Sequence, residues 1–196
     1  MPPTAKVTRE MILSAALDIT RREGFDAVNA RSLAARLGCS TRPIFTCYEN
    51  MEAVKADFLE YAFAFYEQRA TAWGEGEDPF LALPLTYLRF AREEPLLFRA
   101  LFIRKMALDM RRAEDFYREP GNGCKAEAFA RQLGVDPQAG REIFLDLFLW
   151  AHGAAVLAAT GKLDLEEEEA RRRAKAVVAA LAARGNDVQV SDLARL

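Results

Sequence analysis

Between Leu33 and Tyr48 the chain carries so much helix punctuation in so few residues that its local structure has little freedom. Gly38 has no Cβ and can take the left-handed conformation that closes a helix C-terminus. Ser40 is placed to accept a hydrogen bond from a free backbone N–H of the next helix and so start it. Pro43 falls in that helix's first turn, where a missing N–H costs nothing. Cys39 and Ile44 flank the cap as a hydrophobic staple, and Asn29 repeats the device upstream with Val28 and Leu33. The pattern predicts two short helices, over 29–37 and 41–48, joined by a tight turn.

The second helix sorts its faces. Ile44 and Tyr48 are four apart and share the side that anchors on the earlier helices. Thr41, Arg42, Phe45 and Thr46 point largely away. Arginine can pair with a phosphate or with a guanine edge, and threonine can reach a base or a thymine methyl. Helix, glycine-containing turn, helix is the local grammar of a helix-turn-helix DNA reader. An ordinary pair of capped helices in an all-α core has the same grammar, so the geometry alone leaves both open.

The remaining chain repeats helical signals. Thr8 caps a first helix ending at Gly24, with Ile12, Ala16 and Ile19 on its inner face. Asn50 caps a long helix to about Trp73, striped by Val54, Phe58, Tyr61 and Phe65. After the break at 74–78, Asp78 and Pro79 open a helix that Pro84 should bend or delay, and Pro95 opens another. A charged short helix is expected over 107–118, then helices from Lys125 to Leu133 and from Pro137 to about Thr160. The last helix carries Asp164 and Glu167 as a capping box, with Gly185 past its end. Its pairs Glu167–Arg171, Glu168–Arg172 and Glu169–Arg173 have i to i+4 spacing and read as a solvated face. No strand alternation appears. The fold class is all-α, about nine helices: an N-terminal three-helix domain (1–50) joined by a long helix to a C-terminal bundle (51–196).

Charge is distributed unevenly. The formal net charge is −2, yet residues 1–48 carry seven Lys or Arg against four Asp or Glu, leaving the acidic excess to the rest. A basic end on an acidic body suits a protein whose one end approaches phosphates. Three cysteines without a Cys-x-x-Cys pair and a single histidine, His152, argue against a metal cluster. Reduced thiols fit a cytoplasmic setting. The N-terminus has no apolar signal core, and the apolar run from Leu147 to Ala159 is short for a bilayer, so no membrane partner is expected. No nucleophile or acid–base constellation is apparent, no cofactor is implied, and we expect no enzyme.

The stretch from Thr8 to about Phe58 resembles the DNA-binding domain of the tetracycline-repressor (TetR/AcrR) family of bacterial transcription regulators. The resemblance rests on Ile12-Leu13-Ser14-Ala15-Ala16-Leu17, Glu23-Gly24-Phe25, Asn29-Ala30-Arg31-Ser32-Leu33-Ala34, Leu37-Gly38-Cys39-Ser40, Ile44-Phe45-Thr46-Cys47-Tyr48 and Asn50-Met51-Glu52. Three positions depart: Phe45 stands for the usual tyrosine, Cys47 for a histidine and Met51 for a lysine, each removing a backbone contact. The resemblance implies a ligand-responsive repressor released from a palindromic operator by a small molecule. Its DNA contacts would come from Arg31, Thr41, Arg42, Phe45, Thr46 and Cys47. A helical partner-binding protein with weakened DNA binding is the alternative.

The run Phe148-Leu149-Trp150-Ala151-His152-Gly153 is similar to the ligand-binding half of one subtype of the family. The resemblance implies an effector site there, with Tyr87, Phe98, Phe102, Met106, Phe129, Phe144, Phe148 and His152 as lining candidates. Most aromatics at helical spacing are simply core. The helix from Arg141 to Thr160 is apolar nearly all round, and such a helix needs cover on both sides. A second copy supplies it most simply. The last two long helices would form the homodimer seam, through Trp150, Gly153, Ala154, Leu157, Val178 and Leu181.

Overall fold

In the computed structural model, which describes residues 7–104, 112–118 and 121–187, every regular element is helical. Helix α1 (Arg9–Glu23) starts where Thr8 accepts a hydrogen bond from Met11 N, and it stops at Gly24. A 3-10 turn (Phe25–Ala27) leads to α2 (Ala30–Leu37). Asn29 caps α2: its Oδ1 accepts from Arg31 N and Ser32 N, while Ser32 Oγ accepts from Asn29 N. Gly38 closes α2 at φ 64° and ψ 32°, the left-handed geometry that its missing Cβ permits.

Helix α3 (Arg42–Cys47) follows, with Pro43 in its first turn. Its cap differs from the expected one. Thr41, not Ser40, occupies the N-cap, and no side-chain cap bond forms. Pro43 contributes: of the second and third helical positions that a Ser40 cap could bind, the third would be proline, which has no N–H. Ile44 N donates instead to the Thr41 carbonyl. The three helices close on Ile12, Ala16, Val28, Leu33 and Ile44, none of which reaches solvent.

Helix α4 (Met51–Gly74) is capped by Asn50, which accepts from Ala53 N at 2.8 Å. Its 24 residues span about 36 Å. Asp78 caps α5 (Pro79–Glu93), which runs unbroken through the buried Pro84 and neither starts late nor divides there. Glu94 separates α5 from α6 (Pro95–Phe98), which continues as a π turn over Arg99–Ile103. Of the short helix expected over 107–118, a 3-10 turn is present at Ala113–Arg118, and residues 107–111 lie outside the described residues. Helix α7 (Asn122–Leu133) starts three residues before Lys125 and ends at Gly134. Helix α8 (Pro137–Ala159) is capped by Asp136, and α9 runs over Glu167–Asp187.

The last helix holds two corrections. It runs on through Gly185, and its first bond, Ala170 N to Glu166 O, makes Glu166 the cap residue. Asp164 therefore stands too early for a capping box, and its carboxylate instead meets Arg92 of α5 at 2.7 Å. Of the three expected pairs along the helix only Glu169–Arg173 forms as spaced, while Arg172 also turns to Glu169. Arg171 leaves the helix surface and grips both Glu77 oxygens, at 2.8 and 2.7 Å. A planar guanidinium prefers a two-point partner across the fold to a one-point neighbour along it.

One core cluster is continuous from Ile12 of α1 through Phe58 of α4 and Phe98 of α6 to Ala155 of α8. A second, around Phe116, Phe129, Phe144 and Leu147, joins α7 to α8. Gly140 lets these two helices touch: a Cβ there would stand 2.1 Å from Ala130 Cβ and 2.7 Å from Ala130 Cα. Among the described residues α8 is the one helix long and apolar enough to cross a membrane. Here it packs against α5, α7 and α9.

Candidate functional site

Helix α3 is held from beneath and open above. Ile44 is fully buried, and Tyr48 donates its hydroxyl proton to Asp57 of α4. Burial, with the Asp57 carboxylate beside it, pushes the Tyr48 phenol well above the usual tyrosine range, so it stays a donor. Arg9 closes the other side, lying 5.0 Å from the Tyr48 ring centre and donating from Nε to the Cys47 carbonyl. Arg36 ties α2 to Asp18 of α1.

Above this frame Arg42, Phe45 and Thr46 are exposed, Phe45 to 45 %. Arg31, at the start of α2, is also exposed, and Thr41 is half-buried. The Thr46 hydroxyl donates to the Arg42 carbonyl at 3.2 Å, so its methyl remains as the outward group. Cys47 sits apart from these: it is half-buried, with Sγ 3.6 Å from the Val7 carbonyl, and faces the beginning of α1. Helix α3 thus exposes a cation, an aromatic ring and a threonine within five residues, and α2 exposes a second cation at Arg31.

The body gathers most of the aromatic candidates into one stack. Phe98, Phe102, Phe148 and His152 all neighbour the Tyr87 ring, and Tyr87 Oη and His152 Nδ1 share a hydrogen bond of 2.9 Å. Burial lowers the His152 pKa, which favours the neutral ring. Phe129 and Phe144 fall in the second core cluster instead, and Met106 lies outside the described residues.

A cavity of about 540 Å³ opens beside them, between α4, α5, α7 and α8. Phe129 and Phe144 line it, together with residues the sequence did not single out for it: Tyr66, Thr71, Leu83, Lys125 and Gln132. The signal was present as spacing. Tyr66, Ala70 and Gly74 recur every four residues, as do Lys125, Phe129 and Leu133 nearby. Nothing in that spacing says that the two faces meet.

At the outer side of α8, Leu149 is 59 % and Leu157 41 % exposed, with Gly153 open between them. Ala176, Ala179, Ala180 and Ala183 of α9 are exposed as well. Trp150, Val178 and Leu181 are half-buried against the second core cluster, and Ala154 packs on the first.

Comparison with known proteins places the fold. The chain superposes on a TetR-family transcriptional regulator from Vibrio parahaemolyticus with a TM-score of 0.56, at 17 % identity, covering 88 % of this chain and 97 % of that one. Thermus thermophilus FadR, a TetR-family transcriptional repressor solved in complex with lauroyl-CoA, aligns at 24 % identity over 92 % of this chain and 96 % of that one, with a TM-score of 0.50. In sequence, 107 residues (53 % of the chain) are 24 % identical to YobS, an uncharacterised HTH-type transcriptional regulator of Bacillus subtilis. The match spans little more than half, 56 %, of that protein's length. No family model matches. The chain has the all-α fold of the TetR-family transcriptional regulators, as its resemblance in sequence implied.

Proposed function

We propose that this chain is a cytoplasmic, ligand-responsive transcriptional regulator that binds a palindromic operator as a homodimer and is released by a small molecule. One observation carries the reading: Arg42, Phe45 and Thr46 stand exposed on a short helix whose opposite side is locked by Ile44 and Tyr48. Such a helix can enter a major groove with Arg42 at base edges, while Arg31 meets phosphates.

One six-residue helix is a weak reader. Two, about 34 Å apart across a two-fold axis, read an inverted repeat. The exposed Leu149, Gly153 and Leu157 of α8, together with the exposed alanines of α9, support self-association, since small side chains allow close helix approach. Two ion pairs support coupling between the halves. Arg21 of α1 grips Glu94, a carboxylate only 5 % exposed at the α5–α6 junction, at 2.6 and 2.7 Å. Arg104 reaches Asp26 at 2.7 Å. Helix α5 lines the cavity and is capped at its C-terminus by Glu94, so an occupant that shifts α5 reaches α1 through that pair.

Selecting bound sequences from a random duplex pool tests the reading, with an inverted repeat as the expected product. Arg42→Ala should then cost about 1–3 kcal/mol on the selected site and far less on random duplex. Equal loss on both would make Arg42 a phosphate contact, and a pool without enrichment would sink the regulator reading.

A further inference from the structure

The cavity between α4, α5, α7 and α8 has an uneven chemistry. Its inner wall is apolar: Leu83, Ala82, Ala128, Phe129 and Phe144. At the rim stand one cation, Lys125, and one anion, Glu67, with no other charged side chain in the lining. Thr86 spends its hydroxyl on the Ala82 and Leu83 carbonyls. Tyr66 differs from all of these. Its ring is clamped by Phe90 and Phe102, at 4.9 and 5.1 Å, yet its hydroxyl has no hydrogen-bond partner among the described residues. Burial, and secondarily Glu67, raises its pKa, so the phenol holds its proton and offers a donor. Tyr66 is half-buried at the cavity wall, so its donor is open to an occupant that carries an acceptor oxygen.

We propose that the cavity takes an uncharged, mainly apolar molecule whose single oxygen function accepts a hydrogen bond from Tyr66. The inference rests on the reading of this half as an effector-binding body and names the ligand class for it. Charge decides against an anionic occupant. Lys125 and Glu67 give the rim no net charge, and a carboxylate brought to Tyr66 would lose water against apolar walls with no buried cation among the described lining residues. The volume lies within the range of about 300–1,000 Å³ usual for small-molecule sites.

Calorimetric titration of the full chain with decan-1-ol, decanoate and lauroyl-CoA tests this. Decan-1-ol should bind more tightly than decanoate, and lauroyl-CoA should gain nothing from its charged head. Tyr66→Phe keeps the ring packing and should weaken decan-1-ol about five- to tenfold. Ala128→Phe, verified as folded by its unfolding curve, fills the space and should abolish binding. Tighter binding of either anionic probe overturns the ligand class. An unchanged decan-1-ol affinity in Tyr66→Phe overturns the role of the phenol while Ala128→Phe still reports the cavity. No decan-1-ol binding, or binding indifferent to Ala128→Phe, overturns the cavity as the site. Effector action is read apart from these, by operator affinity with decan-1-ol present: binding without release leaves this inference standing and breaks the regulator reading.

Discussion

The two halves of this molecule solve opposite problems. The reader, α1 to α3, is small, capped at nearly every end and filled to its centre, so its outward side chains stand on a frame with little slack. The body, α4 to α9, is built of longer helices, retains a cavity of about 540 Å³ and leaves an apolar strip open on α8 and α9. Rigidity under a recognition surface fixes the side chains that meet a partner. Slack in a bundle is what allows a bound molecule to change how helices lie. The difference teaches that the two proposed jobs would be segregated along the chain, while the halves share one continuous apolar core from α1 to α8, to which the Arg21–Glu94 pair adds a polar joint.

The comparison can be broken most severely in the body, at Gly140. Gly140→Ala forces the backbones of α7 and α8 apart, because the new Cβ meets the Cβ and Cα of Ala130 rather than a flexible tip. A loss of about 3 kcal/mol in chemical denaturation is expected, at the upper end of ordinary overpacking. A loss under about 1 kcal/mol would mean that the α7–α8 contact is loose.

Arg21→Ala attacks the joint between the halves. Glu94 would be left buried without its cation, for a cost of about 2 kcal/mol. This is less than for a wholly buried pair, since Arg21 is itself 42 % exposed. Glu94→Gln should be milder, and the double variant should cost less than the two single changes added together. Strict additivity would show that the pair carries no coupling.

His152 supplies a pH test confined to the body. Its folded pKa lies below the unfolded value of 6.5, so the unfolded chain takes up the proton first. Stability should therefore fall as pH drops below about 6.5, and His152→Phe should flatten that part of the profile. The smallest effect belongs to the reader. Because the Thr46 hydroxyl is already bonded within α3, Thr46→Val should keep operator affinity within a few tenths of a kcal/mol, whereas Thr46→Ala loses the methyl contact. Equal losses would return the hydroxyl to the DNA.

Most of the reader was legible in the sequence because its signals are local. Thr8, Asn29, Gly38 and Asn50 act on their own backbone within three or four residues, and all four stand where the spacing put them. Ser40 misled because the helix begins one residue later, at Arg42, and Pro43 had removed one of the two donors a cap at Ser40 could use. The outward set of Arg42, Phe45 and Thr46 followed from helical periodicity, whereas Cys47 turned toward Val7, a residue forty positions away. The body was harder to read for the same reason. The union of Tyr87 with His152, the turn of Arg171 from its own helix to Glu77, and the meeting of Tyr66 with Phe129 across one cavity all join distant segments.

The sequence by itself determined the helices, most of their ends and the exposed face of α3, since hydrogen-bond capping and periodicity are written within a single turn or two. Which helices face one another, which aromatics line a space instead of filling it, and which carboxylate lies buried at the joint were decided only by the tertiary structure. Those outcomes depend on competition among many similar apolar faces, and a difference in packing between distant helices leaves no mark on local spacing.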